Sequence, residues 1–151
     1  MLFFYKKELI GESFNSAIQN LLIISYQENK IMSQDLIKAI EEAIKETEAW
    51  TTTGWKQLFG LRNVEVNSLA AAEALDDTFV YKIEAVAYWT NVKHASEEAV
   101  DWGKKALEAA KAGRMAEVDD YAYYSLTLEK PLRSKPVTWN KVYSMIKQTA
   151  A

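Results

Sequence analysis

Apolar residues recur every three or four positions over most of the chain, which is the period of an amphipathic helix. The clearest case runs from Ser33 to Trp50, where Ser33 is placed to cap the first turn. One face of this segment carries the apolar residues Leu36, Ile37, Ile40, Ala43 and Ile44. The pattern predicts a helix over 33–50 that ends where 51–54 reads Thr-Thr-Thr-Gly, a turn sequence.

A similar pattern precedes this helix. Ser13 stands where a cap is needed, and the apolar residues that follow it are Phe14, Ala17, Ile18, Leu21 and Leu22. Residues 1–31 are therefore predicted to form an N-terminal helical segment.

The longest pattern begins at Leu69 and meets neither glycine nor proline before Trp102. Its apolar residues alternate between spacings of four and three, which suits packing at small crossing angles: Tyr81, Ala85, Tyr88, Val92, Ala95, Ala99, Trp102, Ala106 and Ala109. A second apolar set widens the first half, which is predicted to be the central helix, at about 69–92. The sequence Ser-Glu-Glu at 96–98 is typical of a new helix start and favours two helices, or one with a kink near His94; the alternative is one unbroken helix over 69–112.

Residues 115–130 fit two periods. Met115, Val118, Ala122 and Ser125 are spaced as in a helix, whereas Ala122, Tyr124, Leu126 and Leu128 alternate as in a strand. After Pro131 and Pro136, Thr138 is placed to cap a last short helix within the basic C-terminal segment 131–151.

Five glycines and two prolines are too few for an all-β protein with a turn every 8–12 residues. We therefore predict one all-α domain over 1–151, a compact bundle of five or six helices. The alternative is an α+β fold in which 1–5 and 123–128 form a small sheet.

The segment from Trp102 to Pro131 resembles one tetratricopeptide-type hairpin, a helix pair with a turn between the helices. Trp102, Gly113 and the small Ala106 stand at suitable positions, whereas Val118 replaces the usual alanine and Pro131 comes one residue late. The resemblance covers one repeat, and such repeats bury a continuous core only when about three are stacked. It implies an antiparallel helix pair.

Composition excludes several chemistries. The absence of cysteine removes disulfides and thiolate chemistry and favours a reducing compartment, the cytoplasm, while the single histidine, His94, excludes any site that needs two. No phosphate-binding loop, dinucleotide fingerprint or nucleophile elbow is present. A non-enzymatic protein without a cofactor is therefore the favoured class.

Charge and hydropathy limit the classes of partner that the protein is expected to bind. The net charge is −3, with ten basic and seventeen acidic residues in 33–127 and five basic residues and one acidic residue in 128–151. An acidic body argues against nucleic acid as the main partner, although Trp139 and Tyr143 among lysines in the tail could stack on single strands. The longest apolar run after the first residues is too short to span a membrane.

Aromatic residues supply the evidence for a binding surface. Tyr121, Tyr123 and Tyr124 cannot all face one core, and Trp89 points about 100° away from Tyr88 on a helix. Tyrosine and tryptophan are enriched in protein interfaces. The sequence therefore predicts a regulatory or interaction module, self-associating or bound to a protein partner, whose contact residues are Tyr121, Tyr123, Tyr124, Trp89 and Trp139.

The alternative function is a helical-bundle protein that binds a metal or a small molecule. His94, Glu97, Glu98 and Asp101 place an imidazole and carboxylates on one helical face. Di-iron bundles need a Glu-x-x-His motif on two helices, and this chain has one histidine in the reverse order. An ordinary solvated histidine on a polar helix edge accounts for the same pattern.

Overall fold

A computed structural model describes residues 34–52, 55–133 and 135–150. Of these residues 68% are helical, in five helices accompanied by one two-stranded sheet, so the predicted helical bundle is confirmed. The predicted helical segment 1–31 and strand 1–5 lie outside the described residues. Nearly all described residues belong to one unit, Leu36–Ala151, and the single domain over 1–151 stays a prediction.

The elements follow one another along the chain as a helix, a hairpin and four further helices. They are α1 (34–48), β1 (Gln57–Phe59), β2 (Val64–Val66), α2 (Leu69–Glu73), α3 (Lys82–Lys111), α4 (Met115–Glu129) and α5 (Thr138–Ala150). The two strands are antiparallel, with Leu58 opposite Glu65.

The central helix differs from the prediction in where it begins. The segment predicted at about 69–92 is divided, because α2 ends at Glu73 and α3 begins at Lys82. Between them, Asp76 Oδ1 accepts hydrogen bonds from the backbone N–H of Thr78 at 2.8 Å and from its hydroxyl at 2.7 Å. Such a local turn competes with continued helix, and this explains the division.

The break predicted near His94 is wrong, because α3 runs without interruption for 30 residues. Ser96, read as the start of a new helix, lies buried inside α3. Its hydroxyl donates to the backbone carbonyl of Thr47 at 2.6 Å. The serine therefore bonds to α1 instead of capping a helix.

The strand alternative at 123–128 is also wrong, because these residues belong to α4. The buried residues of α4 are spaced by three and four: Val118, Ala122, Ser125, Leu126 and Glu129. Gly113, with φ +74°, forms the turn between α3 and α4, which pack on each other as the expected helix pair. On its other side α4 packs against α5.

The hairpin at 57–66 lies between the helix predicted at 33–50 and the pattern that begins at Leu69, in a segment without a decisive hydrophobic period. Gly60 and Asn63 adopt positive φ angles of 76° and 51°, and the Asn63 N–H donates to the Gly60 carbonyl at 3.2 Å. Glycine and asparagine are the residues that tolerate this conformation, so they close the turn.

One part of the core lies where α1, α3 and α5 meet, and Gly103 of α3 allows their close approach. A Cβ atom at this position would lie 2.7 Å from Cη2 of Trp139 and 2.9 Å from Cγ1 of Ile44. The Trp139 Nε1–H donates to the Thr47 hydroxyl oxygen at 2.9 Å, and that hydroxyl donates to the Ala43 carbonyl at 2.6 Å. A hydrogen-bonded chain therefore joins α5 to α1 beside the glycine.

None of the helices within the described ranges is long and apolar enough to cross a membrane.

Candidate interaction surface

The three clustered tyrosines have different surroundings. Tyr123 and Tyr124 are 43% and 42% exposed. Among the residues that the structure describes, they are the two most exposed aromatic side chains. Tyr121 is half-buried, and its ring stacks on that of Trp102, with centroids 5.7 Å apart and an interplanar angle of 21°. Two of the three rings are thus available at the surface of α4.

The exposed residues of α4 form one continuous stripe. They are spaced by four, three, one and three, which keeps them on one side of a helix. We call this stripe the α4 face: Ala116, Asp120, Tyr123, Tyr124 and Thr127. Lys130 and Pro131, also exposed, extend it beyond the last turn.

The neighbouring helices hold the two exposed rings in place. The Tyr124 ring lies 4.8 Å from the Trp102 ring of α3, centroid to centroid, at an angle of 57°. The Tyr123 ring lies 5.7 Å from the Tyr143 ring of α5. Aromatic pairs at these separations are attractive, so both tyrosines are positioned before any partner arrives.

Lysine side chains lie over the rings of this surface. Lys105 Nζ is 4.5 Å from the Trp102 centroid, and Lys130 Nζ is 5.7 Å from that of Tyr123. Cation–π contacts of this kind are favourable at exposed sites. The exposed rings are therefore accompanied by lysines, while Asp120 adds a negative charge within the α4 face.

Lys147 of α5 is a third lysine of this kind, with its Nζ 4.7 Å from the Tyr143 centroid and 3.4 Å from the Asp119 carboxylate. A hydrogen bond with Tyr143, followed by the interactions with Asp119, raises the pKa of the Lys147 ammonium. Lys147, charged at neutral pH as lysines ordinarily are, thus lies beside the Tyr143 ring.

The structure corrects the prediction for Trp89 and Trp139, because both side chains are fully buried. The Trp89 ring packs 5.7 Å from that of Trp55 and 5.3 Å from that of Tyr88, while Trp139 fills the space beside Gly103. Neither ring has solvent-exposed surface that a partner could contact.

Glu129 stabilises the start of α5, a role that the sequence pattern does not reveal. Its carboxylate is fully buried and accepts hydrogen bonds from the backbone N–H groups of Val137, Thr138 and Trp139 at 2.9–3.1 Å. Arg133 Nη1 lies 3.3 Å away. A negative charge at the start of α5 satisfies its unpaired N–H groups, and the ten-residue separation from Trp139 hides this from any local motif.

The residues of the alternative metal site lie apart from this surface on α3. His94, Glu97, Glu98 and Asp101 are all exposed. Within the residues that the structure describes, no three histidine, aspartate or glutamate side chains are grouped so that they could hold a metal ion.

A second exposed apolar region lies at the start of α3. Val80 and Ile83 are 81% and 82% exposed and line an open groove with Phe79 and Val86. Aliphatic side chains dominate here, unlike on the α4 face.

A comparison of the chain with models of protein families, with curated proteins and with solved structures finds no match.

Proposed function

We propose that the protein is a non-enzymatic interaction module that binds a protein partner through the α4 face. The observation that carries this proposal is the exposure of Tyr123 and Tyr124, at 43% and 42%, on rings held by neighbouring helices. Tyrosine is enriched among the residues that dominate binding energy at protein interfaces.

The packing of the two rings supports binding because it lowers the entropic cost of association. A side chain that is mobile in the free protein loses rotamer freedom when a partner immobilises it. Tyr124 against Trp102 and Tyr123 against Tyr143 are already restrained in the free protein. Tyrosine also combines a large apolar ring with a polar hydroxyl, which suits a surface that is wet before binding.

The lysines beside the rings indicate the partner's chemistry. Lys105, Lys130 and Lys147 lie over aromatic rings, and carboxylates on the partner would meet them at the rim. Rim charges of this kind contribute more to association rate and specificity than to affinity. The lack of cysteine suits work of this kind in the reducing cytoplasm.

Photo-crosslinking at a single position tests the proposal. Tyr124 is replaced by the photoreactive residue p-benzoylphenylalanine, the full-length chain is irradiated in producing cells, and adducts are identified by mass spectrometry. The matched control carries the same residue at Asn91, an exposed position on α3.

We expect a discrete adduct from position 124, either with another protein or with a second copy, and none from position 91. Equal labelling at both positions, or no adduct from 124, would contradict the proposal.

A further inference from the structure

We infer that the groove at the start of α3 binds a basic amphipathic helix of another protein. We call it the α3 groove, and its apolar floor consists of Phe79, Val80, Ile83 and Val86. This inference does not depend on the proposed function, because the groove uses other residues and aliphatic side chains. It is carried by an exposed apolar floor together with an acidic rim.

The apolar floor is more exposed than an isolated surface residue requires. Leu61, Val80 and Ile83 are 94%, 81% and 82% exposed, the three largest values for large hydrophobic side chains among the residues that the structure describes. They lie on two segments in contact, because a Cβ atom at Gly60 would be 3.3 Å from Cζ of Phe79. Contiguous apolar surface of this kind marks an interaction site, whereas scattered single residues do not.

The rim of the groove is acidic. Residues 73–87 contain four acidic residues and one basic residue, and all four acidic residues are exposed: Glu73, Asp76, Asp77 and Glu84. Asp77 lines the groove itself. Glu84 shares one exposed side of α3 with Ile83 and Ala87, since these positions are spaced by one and three.

The basic residue of this segment does not cancel the charge that a partner meets. Lys82 Nζ donates to Asp77 Oδ1 at 2.7 Å, but the Lys82 side chain is 22% exposed and that of Asp77 is 94% exposed. On the hairpin, Lys56 pairs with Glu65 at 3.6 Å and Arg62 adds one positive charge. Acidic residues still outnumber basic ones, five to three, over 55–66 and 73–87.

The floor and the rim together select the occupant. A helix that lies in an apolar groove inserts residues spaced by three and four, and its flanking lysines or arginines would meet the acidic rim. A second copy bound about a twofold axis would set the same acidic rim against itself. The negative surface of an anionic lipid bilayer would likewise be repelled. A basic amphipathic helix is therefore the occupant that satisfies both features.

Fluorescence anisotropy with a designed probe tests the inference. The probe is a labelled helical peptide of about 18 residues, built from leucine and lysine with the leucines spaced by three and four. A matched peptide has glutamate in place of every lysine. Both are titrated with the full-length chain and with two variants: Val80→Ser/Ile83→Ser, which removes the floor, and Asp77→Asn/Glu84→Gln, which neutralises the rim.

Two control variants make the result specific. Glu97→Gln/Glu98→Gln removes the same charge from exposed positions of α3 that lie about 20 Å along the helix from Glu84, beyond the Debye length of about 10 Å at 0.1 M salt. Tyr123→Ala/Tyr124→Ala removes the exposed rings of the α4 face. Thermal melts followed by circular dichroism establish that each variant is folded.

We expect the wild type to bind the lysine peptide at least about tenfold more tightly than the glutamate peptide. The floor variant should raise the dissociation constant of the lysine peptide about tenfold, and the rim variant about threefold. Both control variants should stay within about twofold of the wild type. No binding of the lysine peptide, equal binding of the two peptides, or normal binding by the floor variant would overturn the inference. A loss in Glu97→Gln/Glu98→Gln as large as in the rim variant would do the same.

The other occupants are tested with the same floor variant. Sedimentation equilibrium of the chain alone tests a second copy, and flotation with vesicles of phosphatidylcholine and phosphatidylserine tests a lipid surface. Dimerisation or vesicle binding that Val80→Ser/Ile83→Ser abolishes would overturn the inference. Neither outcome bears on the crosslink from position 124, so the proposed function stands or falls separately.

Discussion

Trp139 and Tyr124 are both large aromatic residues on neighbouring helices of one bundle, yet their surroundings differ in kind. Trp139 is fully buried, its Nε1–H bonds to Thr47, and its ring occupies the space left by Gly103. Tyr124 is 42% exposed and contacts another aromatic ring. The comparison shows that the residues of the facing helix decide whether an aromatic side chain stabilises the fold or remains available for a partner.

The difference has an energetic consequence. Burying a large aromatic ring removes 150–250 Å² from water in a typical case, and a satisfied N–H avoids the cost of an orphaned polar group. Trp139 meets both conditions. The exposed part of Tyr123 and Tyr124 contributes little to folding and is buried only when another molecule covers it.

The largest effect is expected from Trp139→Ala. The substitution leaves a cavity between α1, α3 and α5 and removes the donor to Thr47, so the free energy of unfolding should fall by about 3–5 kcal/mol. Urea denaturation at low protein concentration measures this loss. Tyr123→Ala is the matched control and should cost about 1 kcal/mol or less; equal losses in the two variants would erase the distinction between the regions.

Replacing the buried carboxylate should have the next largest effect. In Glu129→Gln the charge opposite three N–H groups at the start of α5 is lost, and an amide NH₂ replaces one oxygen, so we expect a loss of about 2–3 kcal/mol. Glu117→Gln, at an exposed ion pair, should cost about 0.5 kcal/mol or less. Chemical denaturation of both variants compares a buried with an exposed acid, and similar losses would be inconsistent with the capping role of Glu129.

Gly103→Ala tests the space that the core leaves for Trp139. Alanine favours helix over glycine by about 1 kcal/mol, but the new Cβ would crowd Trp139 and Ile44, and overpacking costs about 1–3 kcal/mol. We expect net destabilisation of about 1 kcal/mol. Combined with Trp139→Phe, the alanine should cost less than it does alone, and strict additivity in this double-mutant cycle would show that the ring is not the obstacle.

The smallest effect concerns the turn that divides α2 from α3. Hydrogen bonds from the Thr78 backbone and hydroxyl lower the pKa of Asp76 from 3.8. The stability they contribute is present above pH 3.8 and is lost as the pH falls through the lower, folded-state value. Acid denaturation of Asp76→Asn should therefore show a slightly shallower loss of stability below pH 3.8 than the wild type, and a steeper loss would contradict this assignment.

Helical periodicity predicts α1 and α5 because their apolar residues face one core, but it leaves α4 open between helix and strand. It misses the division at 74–81, since the turn at Asp76 and Thr78 depends on two polar side chains within an otherwise continuous pattern. It also misreads Ser96, whose local sequence is that of a cap but whose hydroxyl bonds to α1. Local motifs carry no information about hydrogen bonds to distant helices.

The candidate site is predicted in part for the same reason. The density of tyrosine at 121–124 requires that some rings leave the core, whatever the fold. The sequence analysis predicts Trp139 as a contact residue because lysines surround it in the sequence. In the structure Lys141 and Lys147 face outward, whereas Val142 and Ile146 are buried with the tryptophan. Its burial depends on Gly103 and Thr47, which no pattern within α5 reveals.

Thermal melting over a series of protein concentrations separates two roles: the buried aromatics stabilise the fold, and the α4 tyrosines are proposed to bind a protein partner, which this measurement detects when the partner is a second copy of the chain. Association of folded chains raises the melting temperature with concentration. The wild type and His94→Ala, an exposed α3 control expected to cost within about 0.5 kcal/mol, should both show this rise. Tyr123→Ala/Tyr124→Ala should melt within about 5 °C of the dilute wild type and show no rise with concentration. A double variant that melts far earlier at every concentration, or that keeps the full concentration dependence, would contradict this division of roles.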